Sequence, residues 1–109
     1  MAIYQDIFID IGSDMEAVFA LDRIPALDLI NYTIVGELRR CINSETSTVF
    51  TFTTDVGLNK FSAILAHVQT SMLESGRFIY DIEFRHNSND TRVKAFYGLA
   101  HITSTATQI

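Results

Sequence analysis

The chain has 109 residues, of which 48% are hydrophobic and 19% charged, with a net charge of −5 and a single cysteine. That length is one domain, 1–109, able to bury a core of its own, and the composition excludes a disordered chain. The acidic balance disfavours a nucleic-acid binder, whose counterion release needs a basic surface. No apolar run is long enough for a membrane span, no basic leader with an unbroken apolar stretch opens the chain, and the lone Cys41 has no partner for an internal disulfide.

Extended elements are expected almost throughout. From Tyr4 to Ile11, Ile7, Ile9 and Ile11 alternate with Phe8 and Asp10, which predicts a first strand with both faces partly covered. Gly12-Ser13-Asp14 is a turn signal. Met15, Ala17, Phe19 and Leu21 then form the apolar side of a second strand. Pro25, the only proline, stops the ladder. Residues 22–31 read as a long connection that crosses from one sheet to another, with Asn31 as a left-handed or tight-turn position.

Tyr32, Ile34, Gly36 and Leu38 define a third strand, in which Gly36 leaves room for a large side chain from a facing sheet. After the polar loop 43–47, Thr48 to Thr54 is a fourth strand, with Phe50 and Phe52 inward. Asp55-Val56-Gly57 turns the chain. Leu58 to Ala66 continues extended on Phe61, Ala63 and Leu65. The period then changes. Val68, Ser71 and Met72 fall at helical spacing, predicting one or two turns of helix closed by Gly76.

The cleanest alternation follows. Phe78, Tyr80, Ile82 and Phe84 lie on one side, and Arg77, Asp81, Glu83 and Arg85 on the other. Period 2 over this length means a strand with one wet and one buried face, and three inward aromatics need a second layer over them. Asn87 to Asp90 is a hairpin loop of turn formers. Thr91 to Thr103 is the last strand, with Gly98 as a bulge or bend, and residues 104–109 form a short tail. Seven strands with turn signals roughly every 8 to 12 residues predict an all-β, seven-stranded immunoglobulin-like β-sandwich with one short helix before the sixth strand.

Chemistry is not legible. His67, His86 and His101 lack metal-ligand spacing. Asn87 to Asp90 lacks the glycine and terminal glutamate of a calcium loop. Neither a nucleophile elbow nor a phosphate-cradling loop is present, and Cys41 beside Arg40 reads as a small hydrophobe at a sheet margin. The expectation is a non-enzyme with no cofactor and no metal. The apolar residues Ile3, Tyr4, Ile7 and Phe8 exceed what a solvated terminus needs. They are the candidate partner-binding residues, through strand addition at a sheet edge, unless they complete the protein's own sheet. The loop 43–47 and the tail 104–109 are further candidate surfaces.

Three segments carry a resemblance. They are Ile11-Gly12-Ser13-Asp14 followed by Phe19-Ala20-Leu21; residues 25–33 ending in Leu38-Arg39; and residues 69–83 with Gly76-Arg77-Phe78-Ile79-Tyr80-Asp81. In order and spacing the chain resembles small β-sandwich domains of tailed phages, of the type found in the N-terminal domain of the baseplate upper protein and in tail collar proteins. Ile30-Asn31 stands where that pattern has Thr-Gly. The resemblance implies a virion protein assembled in the host cytoplasm: an adaptor in tail, baseplate or collar that docks other virion proteins and copies of itself. Capsid decoration by the same fold and a soluble effector against a host protein are the alternatives. With no fibre-forming extension after the last strand, a stand-alone module is expected.

Overall fold

A computed structural model describes residues 2–22, 24, 27–41 and 47–104. Among them are nine strands and one helical turn: β1 Ile3–Tyr4, β2 Ile7–Asp10, β3 Met15–Ala20, β4 Tyr32–Arg39, β5 Thr48–Val49, β6 Thr51–Asp55, β7 Lys60–Leu65, α1 His67–Thr70, β8 Gly76–His86 and β9 Arg92–Thr103. They form two sheets. In the larger, the order is β1-β9-β8-β4-β5 with β2 also on β9; the smaller is β3-β7-β6.

Seven extended stretches are expected from the sequence, and each strand lies in one of them to within one residue at its ends. Two stretches are each divided. The first breaks at Gln5-Asp6, so β1 and β2 pair separately with β9, both parallel. The fourth breaks at Phe50, where the chain leaves β5 in the large sheet and enters β6 in the small one. As predicted, the chain changes sheets between β3 and β4, and Leu21, Ile24 and Leu27 between these strands are buried. Arg23, Pro25, Ala26, the loop residues 42–46 and the tail residues 105–109 lie outside the described residues.

Strand β8 sits at the middle of the large sheet, and its even side chains Phe78, Tyr80, Ile82 and Phe84 are all buried. Asp81 and Glu83 face outward, the first half-exposed and the second more covered. The layers are joined by rings. Phe19 and Phe61 of the small sheet stack at 5.1 Å, Phe19 meets Phe96 at 4.8 Å, and Phe61 meets Phe84 edge-on at 5.5 Å. Each such pair adds about 0.5–1.5 kcal/mol beyond the area it buries. Gly36 does the work expected of it: a Cβ there would lie 3.0 Å from the Phe52 ring of the facing sheet and 2.8 Å from the Asp81 carbonyl.

Several local expectations are corrected. Asn31 lies in a turn but is not left-handed; among the described non-glycine residues only Asn59 has positive φ, at 53° in the β6–β7 turn. The Asp28 carboxylate instead accepts the N–H groups of Ile30 and Asn31 at 2.9 and 2.6 Å, turning the chain through a side chain. In α1 the apolar Val68 is exposed, as is Met72 just beyond it, while Thr70 is fully buried. A single turn has too little apolar surface to dictate its own face, and Thr70 is held by bonds to the 11–14 turn. The helix ends well before Gly76, which instead opens β8 at φ 134°. The irregularity in the β8–β9 ladder lies between Ile82 and Glu83, opposite Phe96 and Lys94, so Ala95 is the extra residue and not Gly98. Gly98 answers a different need: an added Cβ would stand 2.3 Å from the Gln5 carbonyl oxygen.

Candidate functional site

The four candidate residues divide between two faces. Ile7 is buried in the core and Ile3 packs against it, so these two complete the protein's own sheet. Tyr4 and Phe8 are 52% and 72% exposed on the outer face. Register then brings β9 residues beside them. Tyr4 pairs with Tyr97, ring centroids 5.3 Å apart and nearly perpendicular. Phe8 pairs with His101, the rings stacked at 5.0 Å. Tyr97 is also exposed. The outcome is an aromatic stripe on the outer face of the large sheet, along its N-terminal margin.

The break between β1 and β2 anchors the stripe. Gln5 donates its N–H to the Tyr97 carbonyl at 2.9 Å. Its own carbonyl accepts the buried Tyr80 hydroxyl, whose ionisation burial pushes well above the ordinary phenol range. Its side-chain amide reaches the Val18 carbonyl of β3 at 3.5 Å, tying the two sheets at this margin. Gly98 provides the space for this close approach.

Asp6, next along, meets His101 through Oδ2 at 3.0 Å. The Tyr4 phenol interacts with the same carboxyl, and Oδ1 is buried without a hydrogen-bond partner. Tyr4 most, and His101 next, hold this carboxyl below its usual range, while Asp6 raises the Tyr4 phenol. Asp6 and His101 are therefore paired through Oδ2 in the middle of the stripe. The rings around them present apolar surface on a rigid backbone, the arrangement of an anchor patch in an interface.

The other residues with chemical potential are scattered. His67 pairs with Asp14 at 3.0 Å, and His86 lies by Ser88 and the Tyr32 ring. Cys41 is exposed at the end of β4. Among the described residues no three His, Cys, Asp or Glu side chains gather where they could hold a metal ion. Basic groups sit beside acids, as in Arg40–Glu74 at 2.6 Å and Arg85–Glu83 at 2.6 Å. Of the aromatic set assigned to the core by sequence, Phe50, Phe61, Phe78, Tyr80 and Phe84 are buried and Phe52 packs against them.

Asp6, Tyr97 and His101 are members of the stripe that sequence reading did not single out. The signal was present in part. Tyr97, Leu99 and His101 alternate with Gly98, Ala100 and Ile102, but the extra residue Ala95 shifts the parity of β9 and hides which set faces out. No protein-family model matches the chain, and no curated protein matches it.

Proposed function

We propose that this protein is a non-catalytic structural adaptor of a tailed-phage particle, docking neighbouring virion proteins in the tail, baseplate or collar. The observation that carries the reading is the stripe Tyr4, Phe8 and Tyr97: large exposed rings fixed on a sheet margin by Gln5 and by the Asp6–His101 pair. Aromatic residues held this way cost little side-chain entropy on binding and are the usual energetic anchors of an interface. Fold type supports the same reading. Counting β1 with β2, and β5 with β6, as interrupted single strands gives the seven of an immunoglobulin-like sandwich, the architecture implied by the likeness to phage collar and baseplate domains. Neighbouring virion proteins and copies of the chain are the partners, in the virion, with no cofactor, nucleic acid or membrane involved.

The test is incorporation. Tyr4→Ala with Phe8→Ala leaves the core intact, because both side chains point outward. Each truncated anchor is expected to cost about 2 kcal/mol or more of docking free energy. The doubly substituted protein should fold, remain in the lysate, and be missing from purified particles together with the component it docks. Normal incorporation of the folded variant would refute the role of the stripe.

A further inference from the structure

The opposite flank of the large sheet has an edge that the described residues leave uncovered. Strand β4 is paired over its whole length with β8, but β5 covers it only at Glu37 and Leu38. At Phe50 the chain departs for the small sheet, after donating its N–H to the Gly36 carbonyl at 3.2 Å. That bond fixes the direction of every backbone group along β4. In an antiparallel ladder, alternate residues serve opposite neighbours. Gly36 serves the β5 side, so Ile34 and Tyr32 also direct their N–H and C=O groups there. Among the described residues no strand, loop or side chain bonds them.

The side chains there do nothing to blunt this edge. Natural edges carry lysine, proline, a bulge or an inward charge to prevent pairing. Residues Asn31 to Gly36 contain no charge and no proline, and Thr33, Ile34 and Val35 are β-branched. The window is short and closed at both ends. Phe50 occupies the edge beyond Val35, and the turn on Asp28 bends the chain away at Asn31.

We propose that this edge pairs with the same edge of a second copy of the chain, antiparallel about a two-fold axis through Thr33. In that register Tyr32 lies opposite Ile34 of the second copy, and Ile34 opposite its Tyr32. These four residues exchange the backbone groups that the described residues of a single chain leave bare. The inner face gains two aromatic–β-branched pairs, and the outer face gains a Thr33–Thr33 pair, both favourable cross-strand combinations. Centring the axis on Ile34 would set Tyr32 against Gly36 of the second copy, where that copy's Phe50 already stands. The Thr33 register avoids this. Within residues 32–34 it brings no charged residues opposite one another; Arg85, beside Thr33 on β8, is three strand spacings or about 14 Å from its equivalent. The pairing deepens the adaptor reading, on which it rests for a place in a symmetric assembly and not for its geometry.

Sedimentation of the full chain over a range of concentrations tests it. A reversible dimer is expected. Thr33→Lys, which puts like charges directly opposite, should weaken it about tenfold or more while the circular dichroism stays that of the parent. In a Cys41→Ser background, Thr33→Cys should form a covalent dimer on mild oxidation, because a directly opposed non-hydrogen-bonded pair has Cα atoms about 4.5 Å apart, within disulfide reach. Thr53→Cys on β6 should not. A chain that stays monomeric at millimolar concentration, or a dimer indifferent to Thr33→Lys and without the Thr33→Cys cross-link, overturns the proposal. A monomer that is still found in particles would sink the pairing and leave the adaptor reading standing.

Discussion

Gly98→Ala probes the device that holds the aromatic stripe in place. The new methyl carbon would fall 2.3 Å from the Gln5 carbonyl oxygen and 2.9 Å from its carbon, both main-chain atoms with no flexible end to swing aside. Relief at an ordinary contact distance requires Gln5 to move outward by about 1 Å, a shift that breaks two hydrogen bonds it makes to Tyr97 and Tyr80. Overpacking of this kind costs about 1–3 kcal/mol, and each lost hydrogen bond about 0.5–1.5 kcal/mol. Replacing glycine within a strand returns roughly 0.5–1 kcal/mol. The net expectation is a loss of about 2–4 kcal/mol in urea unfolding, with faster amide exchange at Gln5 and along β1. Tyr80→Phe gives an internal control. Alone it should cost about 1 kcal/mol; in the Gly98→Ala background it should cost almost nothing, because its partner has already moved. Additive losses, or an alanine variant with parental stability and exchange, would refute the account of the anchor.

In the core, Phe84→Ala should cost about 3–5 kcal/mol, and Asp81→Ala on the outer face of the same strand under about 0.5 kcal/mol; chemical denaturation compares them. Thr70→Val should cost about 1–3 kcal/mol, since the buried hydroxyl accepts the Gly12 N–H at 3.1 Å and donates to the Ser13 carbonyl at 2.8 Å, and exchange at Gly12 should rise with it. Asp6, Asp14, Asp28 and Glu37 all ionise below their usual ranges in the folded chain. Their stabilising contribution is therefore complete above the ordinary carboxyl range and is lost as pH falls through the lowered values, below about pH 4. Thermal midpoints should drop there, and Asp6→Asn should make that acid-side drop shallower.

Strand faces were legible because burial imposes a period of two, and β8 shows how far that carries: its four even side chains are all inside. The sheet crossover was legible from Pro25 and the broken alternation around it. What escaped reading depends on contacts between distant residues. Nothing local at Gln5 announces that Tyr80 and Gly98 receive its backbone. Phe50 looks like any inward strand residue, yet it is where the chain changes sheets. The same holds at α1, where tertiary bonds to the 11–14 turn, not apolar spacing, chose Thr70 as the buried residue. Of the candidate site, Tyr4 and Phe8 were visible as excess apolar residues near the terminus. Their neighbours on β9 were not, because a one-residue bulge reverses which side chains meet them.

Quantitative mass spectrometry of purified particles tests the adaptor role most directly. An adaptor should be present in the virion at a fixed stoichiometry on the order of tens of copies, as symmetric tail rings require, with Tyr4 and Tyr97 shielded from surface labelling that reaches them in the isolated protein. Copies on the order of hundreds would move the protein to the shell. Absence from particles of normal infectivity, with the protein abundant in the infected cell, would contradict the adaptor role outright.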